Sequence, residues 1–195
     1  MDIKKEIITL LSKVDRIRDS NLLQDLDDLG YFTSPASTNK HNSFEGGLAL
    51  HSYNVYRVLS DMNKTYHLGL EEEFIIVSSI LHDMCKVGVY SPNELKNGEI
   101  SVSKPYKYYD SLPLGHGEKS VIMLNEYFRL TPEEAIAIRY HIGPFCNETM
   151  GGWNFTKNGI KKSGYLKEVM ALYHADSLAT SLLEDCDLQH IYYSS

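Results

Sequence analysis

The stretch Ile80-Leu81-His82-Asp83-Met84-Cys85-Lys86 constrains this chain more than any other. It follows an apolar run, Phe74-Ile75-Ile76-Val77, which predicts one helix over about 71–87 with a histidine and an aspartate side by side among core residues. Neighbouring side chains on a helix point about 100° apart. Both therefore reach one atom only if it lies in the wedge between them. A divalent metal is such an atom, and it accepts imidazole and carboxylate alike. Lys86 lies one turn further on, near the same side, where it offers a positive charge to an anion bound at the metal. The competing explanation is a hydrogen-bonded His-Asp pair in an ordinary core, because buried polar pairs are common when satisfied. These seven residues leave the two explanations evenly matched.

The pattern recurs along the chain. A helix predicted over about 48–64 carries Leu48, Val55, Val58, Leu59 and Met62 as one stripe, and His51 falls inside it. His116, between Gly115 and Gly117, opens a helix over about 117–129, and its glycine neighbours allow close backbone approach. Thr131-Pro132-Glu133-Glu134 is a strong helix start: Thr as cap, Pro at the first position, Glu at the third. That helix ends near His141, which follows Ala137 and Ile138 onto the inward face. A last long helix over about 164–184 places Asp176 on a stripe with Val169, Leu172, Ala179 and Leu183, while His174 points the other way and is left out of the site. Singly, each polar residue has a bland reading, and a lone core histidine is the commoner one. Jointly they are costly unless partnered, and no strongly basic core partner is evident for Asp83 and Asp176. A metal centre accounts for all of them.

Composition narrows the partner. The 195 residues, 43% hydrophobic and 23% charged, suit one globular domain over 1–195, with N-terminal helices in 1–30 and a metal-site core over 40–184. Apolar spacing predicts a first helix over 2–18 and a second, short one from Leu22 to Leu29. A net charge of −7 argues against gripping long nucleic acid and for a small ligand. Cys85, Cys146 and Cys186 have no CxxC spacing and read as free thiols of a cytoplasmic protein. No stretch approaches the length of a membrane span, so no membrane partner is expected. Two interruptions stand out. Residues 89–109, with Asn97-Gly98 as a turn signal and Lys104 and Tyr106 beyond it, predict a β-hairpin or ordered flap. Residues 144–163, with the lone Trp153, predict a second loop or flap. Either could close over a base or sugar ring, where stacking contributes about 1–3 kcal/mol per base. The tail from Leu188 to Ser195 is expected to dock through Ile191, Tyr192 and Tyr193.

The order His51 … His82-Asp83 … His116 … His141 … Asp176 resembles the HD-domain superfamily of metal-dependent phosphohydrolases, over roughly residues 40–184. The two intermediate histidines resemble its two-metal subset. Tyr31-Phe32-Thr33-Ser34-Pro35-Ala36, with His41 and Gly46-Gly47-Leu48 ahead of His51, looks like the HD module of a bacterial 3′–5′ exoribonuclease family. The resemblance implies an all-α bundle of about seven helices with a small β-hairpin or flap insertion. It implies that His51, His82, Asp83 and Asp176 hold a first metal and His116 and His141 a second, with Asp83 as bridge. It further implies metal-activated water attacking a small phosphoester, a nucleotide or nucleotide-like mono- or diester, with Asp83 and Lys86 in the catalytic machinery. Lys86, Lys104, Tyr106, His41 and Trp153 are then the expected substrate contacts. The His-rich set favours Mn, Fe, Co, Ni or Zn over Mg. Two alternatives stay open: a di-iron oxygenase of the HD type, and a non-catalytic nucleotide-binding HD module.

Overall fold

The computed structural model describes residues 1–145 and 152–184. Cys146, Cys186 and the tail from Leu188 to Ser195 lie outside them. The N-terminal part holds α1 (Ile3–Leu11), α2 (Asp15–Arg18) and α3 (Leu22–Asp28). Asp2 caps α1 by accepting the Lys5 N–H at 3.0 Å. The expected helix over 2–18 breaks at Ser12–Val14, where the Lys13 and Val14 N–H groups tighten onto the carbonyls of Leu10 and Leu11. Then come α4 (Gly47–Tyr66), α5 (Glu72–Leu81), the strands β1 (Tyr90–Pro92) and β2 (Tyr106–Tyr108), α6 (His116–Asn125), α7 (Pro132–Tyr140), α8 (Gly152–Lys162) and α9 (Leu166–Leu178). The chain continues from α9 into a π-helical turn, Ala179–Leu183. Helix α4 packs on α1, α5 and α9, and α7 packs on α5, α6 and α9. Ile7, Leu11, Leu48, Leu59, Ile76, Ile80, Ile138 and Leu172 fill the space between them, fully buried. The result is the expected helical bundle with a small hairpin. No helix among the described residues is long and apolar enough to cross a membrane.

Helix α4 is fixed at its start by the loop before it. The Gly46 N–H donates to the Thr33 carbonyl at 3.2 Å and the Leu48 N–H to the Ser34 carbonyl at 2.9 Å. The Asn42 backbone occupies the place where a Cβ on Gly47 would project, so only glycine lets this loop, with His41 on it, lie against α4. The hairpin forms as its turn signal predicts. Tyr90 pairs with Tyr108 and Pro92 with Tyr106 in an antiparallel register, and Gly98 turns the tip with φ +82°. The capping box at Thr131 is present, the Thr131 N–H donating to Glu134 Oε2 at 2.8 Å.

Three expectations are corrected. The helix over 71–87 stops at Leu81, and a short 3₁₀ turn, Met84–Lys86, follows the His82-Asp83 pair. The segment 144–163 is helical from Gly152, because its glycines bound the helix more than they interrupt it: Gly152 and Gly164 take positive φ at its two ends. The helix over 164–184 widens into the π turn at Ala179, which shifts the inward register by one residue. Glu184, not Leu183, is the side chain buried beyond it.

Glu134 also joins the N-terminal helices to the bundle. Its carboxylate is 1% exposed and accepts from Arg16 Nη2 at 2.6 Å and Nη1 at 3.0 Å. Arg16→Met keeps the apolar stem but leaves this buried charge without its cation. The expected loss is about 2–3 kcal/mol by urea denaturation, below the roughly 3–5 of a fully buried pair, because the Arg16 side chain is 26% exposed. A loss under about 0.5 kcal/mol would class the pair with surface bridges.

A candidate metal centre among helix ends

His82 and His141 are placed by the same local device. Each sits at the C-cap of its helix, α5 and α7 respectively. His82 Nδ1 lies 2.8 Å from the Ser79 carbonyl and His141 Nδ1 2.7 Å from the Ile138 carbonyl. Each ring thus donates to the oxygen three residues back, one that a continued helix would use for its own N–H. Helix termination and ring orientation are a single event. It leaves both Nε2 lone pairs facing inward. The chain then turns at Asp83, φ −99° and ψ 24°, held by the Cys85 N–H donating to Ser120 Oγ on α6 at 3.0 Å.

His51, from α4, is oriented differently. Its Nδ1 lies 3.0 and 3.1 Å from the two oxygens of Glu184, and Asn54 Nδ2 donates to one of them at 3.1 Å. Sequence reasoning missed Glu184. The only signal was an acidic residue on an otherwise apolar segment, and the π turn that brings it inward is not written in any periodicity. His51 Nε2 therefore also faces the centre. It lies 3.3 Å from His82 Nε2, 3.2 Å from Asp176 Oδ1 and 3.5 Å from Asp83 Oδ2. His82 Nε2 lies 3.3 Å from Asp83 Oδ2. The other Asp83 oxygen lies 2.6 Å from His116 Nε2 and 3.5 Å from His141 Nε2. All six residues expected as ligands are together, and Asp83 stands between the two halves.

The donor set fits divalent cations. Ligands about 2.1 Å from a metal lie roughly 3.0–3.4 Å from one another in octahedral or tetrahedral order, close to the spacings here. With Nδ1 committed to Glu184 and to the Ser79 carbonyl respectively, His51 and His82 turn their Nε2 atoms to one point, where positive charge, a proton or a metal ion, is needed between them. The groups His51/His82/Asp176, His82/Asp83/His141 and Asp83/Cys85/His116 could each hold a metal ion. The electrostatics agree. Burial opposes charge on His51, yet Glu184 and Asp176 together raise its pKa to about 10. Burial likewise opposes ionisation of Asp83 and Asp176, but Lys86 and the histidines hold the first, and His51 the second, well below the usual carboxylate range. A pocket that draws a proton onto a buried imidazole is short of positive charge.

Lys86 provides part of that charge. Its Nζ lies 2.7 Å from Asp83 Oδ2, so Lys86 stands on the side where its spacing places it and pairs directly with Asp83. His41, on the loop braced against α4, lies with its ring 5.4 Å from that of His51. Its Nε2 is buried without a hydrogen-bond partner. Burial, then the charges on His51 and Lys86, lower its pKa to about 4. Burial pushes the Cys85 thiol up to about 12, a packing residue more than a nucleophile.

Two openings meet at His116. A narrow one of about 110 Å³ lies under the hairpin, lined by Lys86, Tyr90, Tyr108, Asp110 and Lys119 among others. A wider one of about 370 Å³ is lined from the α9 side. Lys104 and Tyr106 line neither: the Lys104 carbonyl accepts from Asn93 at 2.8 Å, and the Tyr106 N–H is spent on Thr38 at 3.3 Å. Tyr90 and Tyr108, with ring centroids 5.7 Å apart, line the narrow opening instead. Trp153, half-buried at the start of α8, also lines neither opening. His174 is exposed beside Tyr173, outside the cluster as expected.

Comparison with known proteins agrees with this geometry. The chain matches the HD domain over residues 48–181, a span that holds all six expected ligands. It is similar to the dihydroneopterin 2′,3′-cyclic phosphate phosphodiesterase of Methanocaldococcus jannaschii, 30% identical over 109 residues. That alignment covers 54% of this chain and 40% of the relative, so the chain spans well under two thirds of that protein. No solved structure matches significantly.

Asp83→Ala is expected to remove most of the metal found by elemental analysis of protein never exposed to chelator, and His174→Ala to leave it unchanged. Glu184→Gln keeps the shape but weakens the His51 anchor. Its metal affinity should fall about 10–100-fold, the scale of losing a partner behind a ligand. Equal metal content in Asp83→Ala and the parent would sink the assignment.

Proposed function

Because the chain belongs to the HD domain family, we propose that it is a metal-dependent hydrolase of a small phosphoester, a nucleotide-like cyclic or linear phosphodiester by preference. The convergence of the His51 and His82 Nε2 atoms on Asp83 and Asp176, with Lys86 alongside, carries this reading. In it His51, His82, Asp83 and Asp176 would hold one metal, and His116 and His141, with Asp83 shared, would hold a second. The phosphodiesterase relative acts on a cyclic phosphate, which supports the diester. The acidic balance of the chain speaks against long nucleic acid.

When bound, the metals would polarise the phosphoryl oxygens and lower the pKa of a coordinated water. This chain's residues supply the rest. Asp83, buried and ionised, keeps its two oxygens in fixed directions because five side chains surround it. Lys86 has donors and no lone pair, so it cannot enter the ligand set. Its ammonium neutralises charge that develops on the phosphate. The hairpin closes the Lys86 side from solvent. Tyr108 Oη donates to Asp110 Oδ2 at 3.1 Å, and Asp110 Oδ1 accepts from Lys119 of α6 at 2.6 Å.

The test is hydrolysis of bis(p-nitrophenyl) phosphate and of adenosine 2′,3′-cyclic monophosphate by manganese-loaded protein, abolished by chelator and by Asp83→Ala. Lys86→Met should retain metal and lose about 10²–10³ in turnover, the scale of one transition-state donor. Turnover at the parent rate would return Lys86 to a purely structural role. Two tightly held irons with an oxygen-sensitive spectrum and no hydrolysis of either diester would replace this reading with the oxygenase.

A further inference from the structure

The two openings at His116 differ in charge. Lys86 and Lys119 both line the narrow one, where Asp110 pairs with Lys119 at 2.6 Å and Lys86 is the lysine next to the cluster. The wide one has no Lys or Arg among its described lining residues, and its acid, Asp176, belongs to the metal cluster. The sequence itself has no Lys or Arg from Tyr140 to Thr156 or anywhere after Lys167. What the wide opening offers instead is an aromatic pair and a row of hydroxyls. Phe145 is 76% exposed at its rim, and Tyr173 lies against the Gly143 turn, where any Cβ would strike its ring. Ser177, Thr180 and Ser181 follow Asp176 on the face that α9 and its π turn present.

We propose that the wide opening is the subsite for the uncharged half of the substrate, so that the enzyme selects phosphoesters with a single phosphate group and a neutral, hydroxylated ring. The proposal rests on the hydrolase reading above and gives it a direction. The scissile phosphate lies toward Lys86 and the narrow opening. The ring lies against Phe145 and Tyr173, with its hydroxyl or amide groups meeting Ser177, Thr180 and Ser181, each both donor and acceptor. The volumes agree: about 370 Å³ is within the range of small-molecule pockets, whereas about 110 Å³ suits a phosphate-sized group. A second phosphate at the far end of the wide opening would meet the hydroxyls of Ser177, Thr180 and Ser181 with no Lys or Arg among the described lining residues, and an anion without a cation beside it is costly to desolvate. Oligonucleotides and nucleoside polyphosphates are disfavoured on this ground.

The experiment compares two substrates with the same scissile group: adenosine 2′,3′-cyclic monophosphate and the same compound carrying a 5′-phosphate. The parent protein, manganese-loaded, should hydrolyse the 5′-phosphorylated compound with kcat/KM at least tenfold lower, the difference lying mostly in KM. Ser181→Lys, at an exposed position, should narrow that ratio at least fivefold. Calorimetric titration with adenosine 2′-monophosphate and adenosine 2′,5′-bisphosphate should show the same order of affinity and the same reversal. Equal kcat/KM for the two cyclic substrates, or a Ser181→Lys variant with an unaltered ratio, overturns the subsite while hydrolysis of bis(p-nitrophenyl) phosphate preserves the hydrolase. Failure to hydrolyse any of the three diesters overturns both.

Discussion

A carboxylate 2% exposed to solvent has to be surrounded by positive charge or hydrogen-bond donors, and Asp83 imposes that demand on much of the bundle. Four imidazoles and one ammonium come within 3.5 Å of its two oxygens, from α4, α6, the ends of α5 and α7, and the turn that follows α5. Ionised and lacking them, the residue would cost several kcal/mol of desolvation. With them it becomes a fixed point that positions side chains from four different helices. Lys86 supplies one full positive charge against the carboxylates of Asp83, Asp176 and Glu184. The shortfall is what a divalent cation would make good, and it explains why burial alone does not keep His51 neutral.

The site is built where the helices stop being regular. Leu81 and Tyr140 end their helices so that His82 and His141 can take the carbonyls three residues back and turn their free nitrogens inward. His116 stands in the first turn of α6, where the carbonyl oxygens of Ile138 and Arg139 occupy the place of any Cβ on Gly117. That contact draws the start of α6 onto the end of α7 and brings the rings of His116 and His141 within 5.2 Å. The π turn after α9 then adds a residue to the register, and Glu184 reaches the far side of the His51 ring. Each irregularity relinquishes backbone order locally, and each is offset by a buried contact made by a polar side chain.

The substrate side is asymmetric for a related reason. The hairpin is tied to α6 through Asp110, and this fastening carries Lys119 and two tyrosines to one side of the cluster. Nothing comparable delivers a cation to the α9 side among the described residues. Charge on one side and hydroxyls with aromatic rings on the other would orient the proposed substrate before any contact with its scissile bond.

The chain by itself determined the class of fold and the identity of the cluster. Apolar residues at helical spacing located the main helices, and polar residues on those stripes, His51, His82-Asp83, His141 and Asp176, pointed to one buried centre because isolated burial of each would be costly. Asn97-Gly98 and the Thr131 cap were legible because turn and cap chemistry is local. Tertiary structure decided the rest. Periodicity cannot show where a helix gives way to a competing side-chain hydrogen bond, so α5 ended at Leu81 and not near residue 87. Breaker counting cannot tell glycines that bound a helix from glycines that prevent one, so residues 144–163 read as a loop or flap where α8 forms. The Glu184 contact depends on the π turn, and the place of Tyr90 and Tyr108 at the narrow opening depends on where the hairpin lies against α6, a property of contacts between segments distant in sequence.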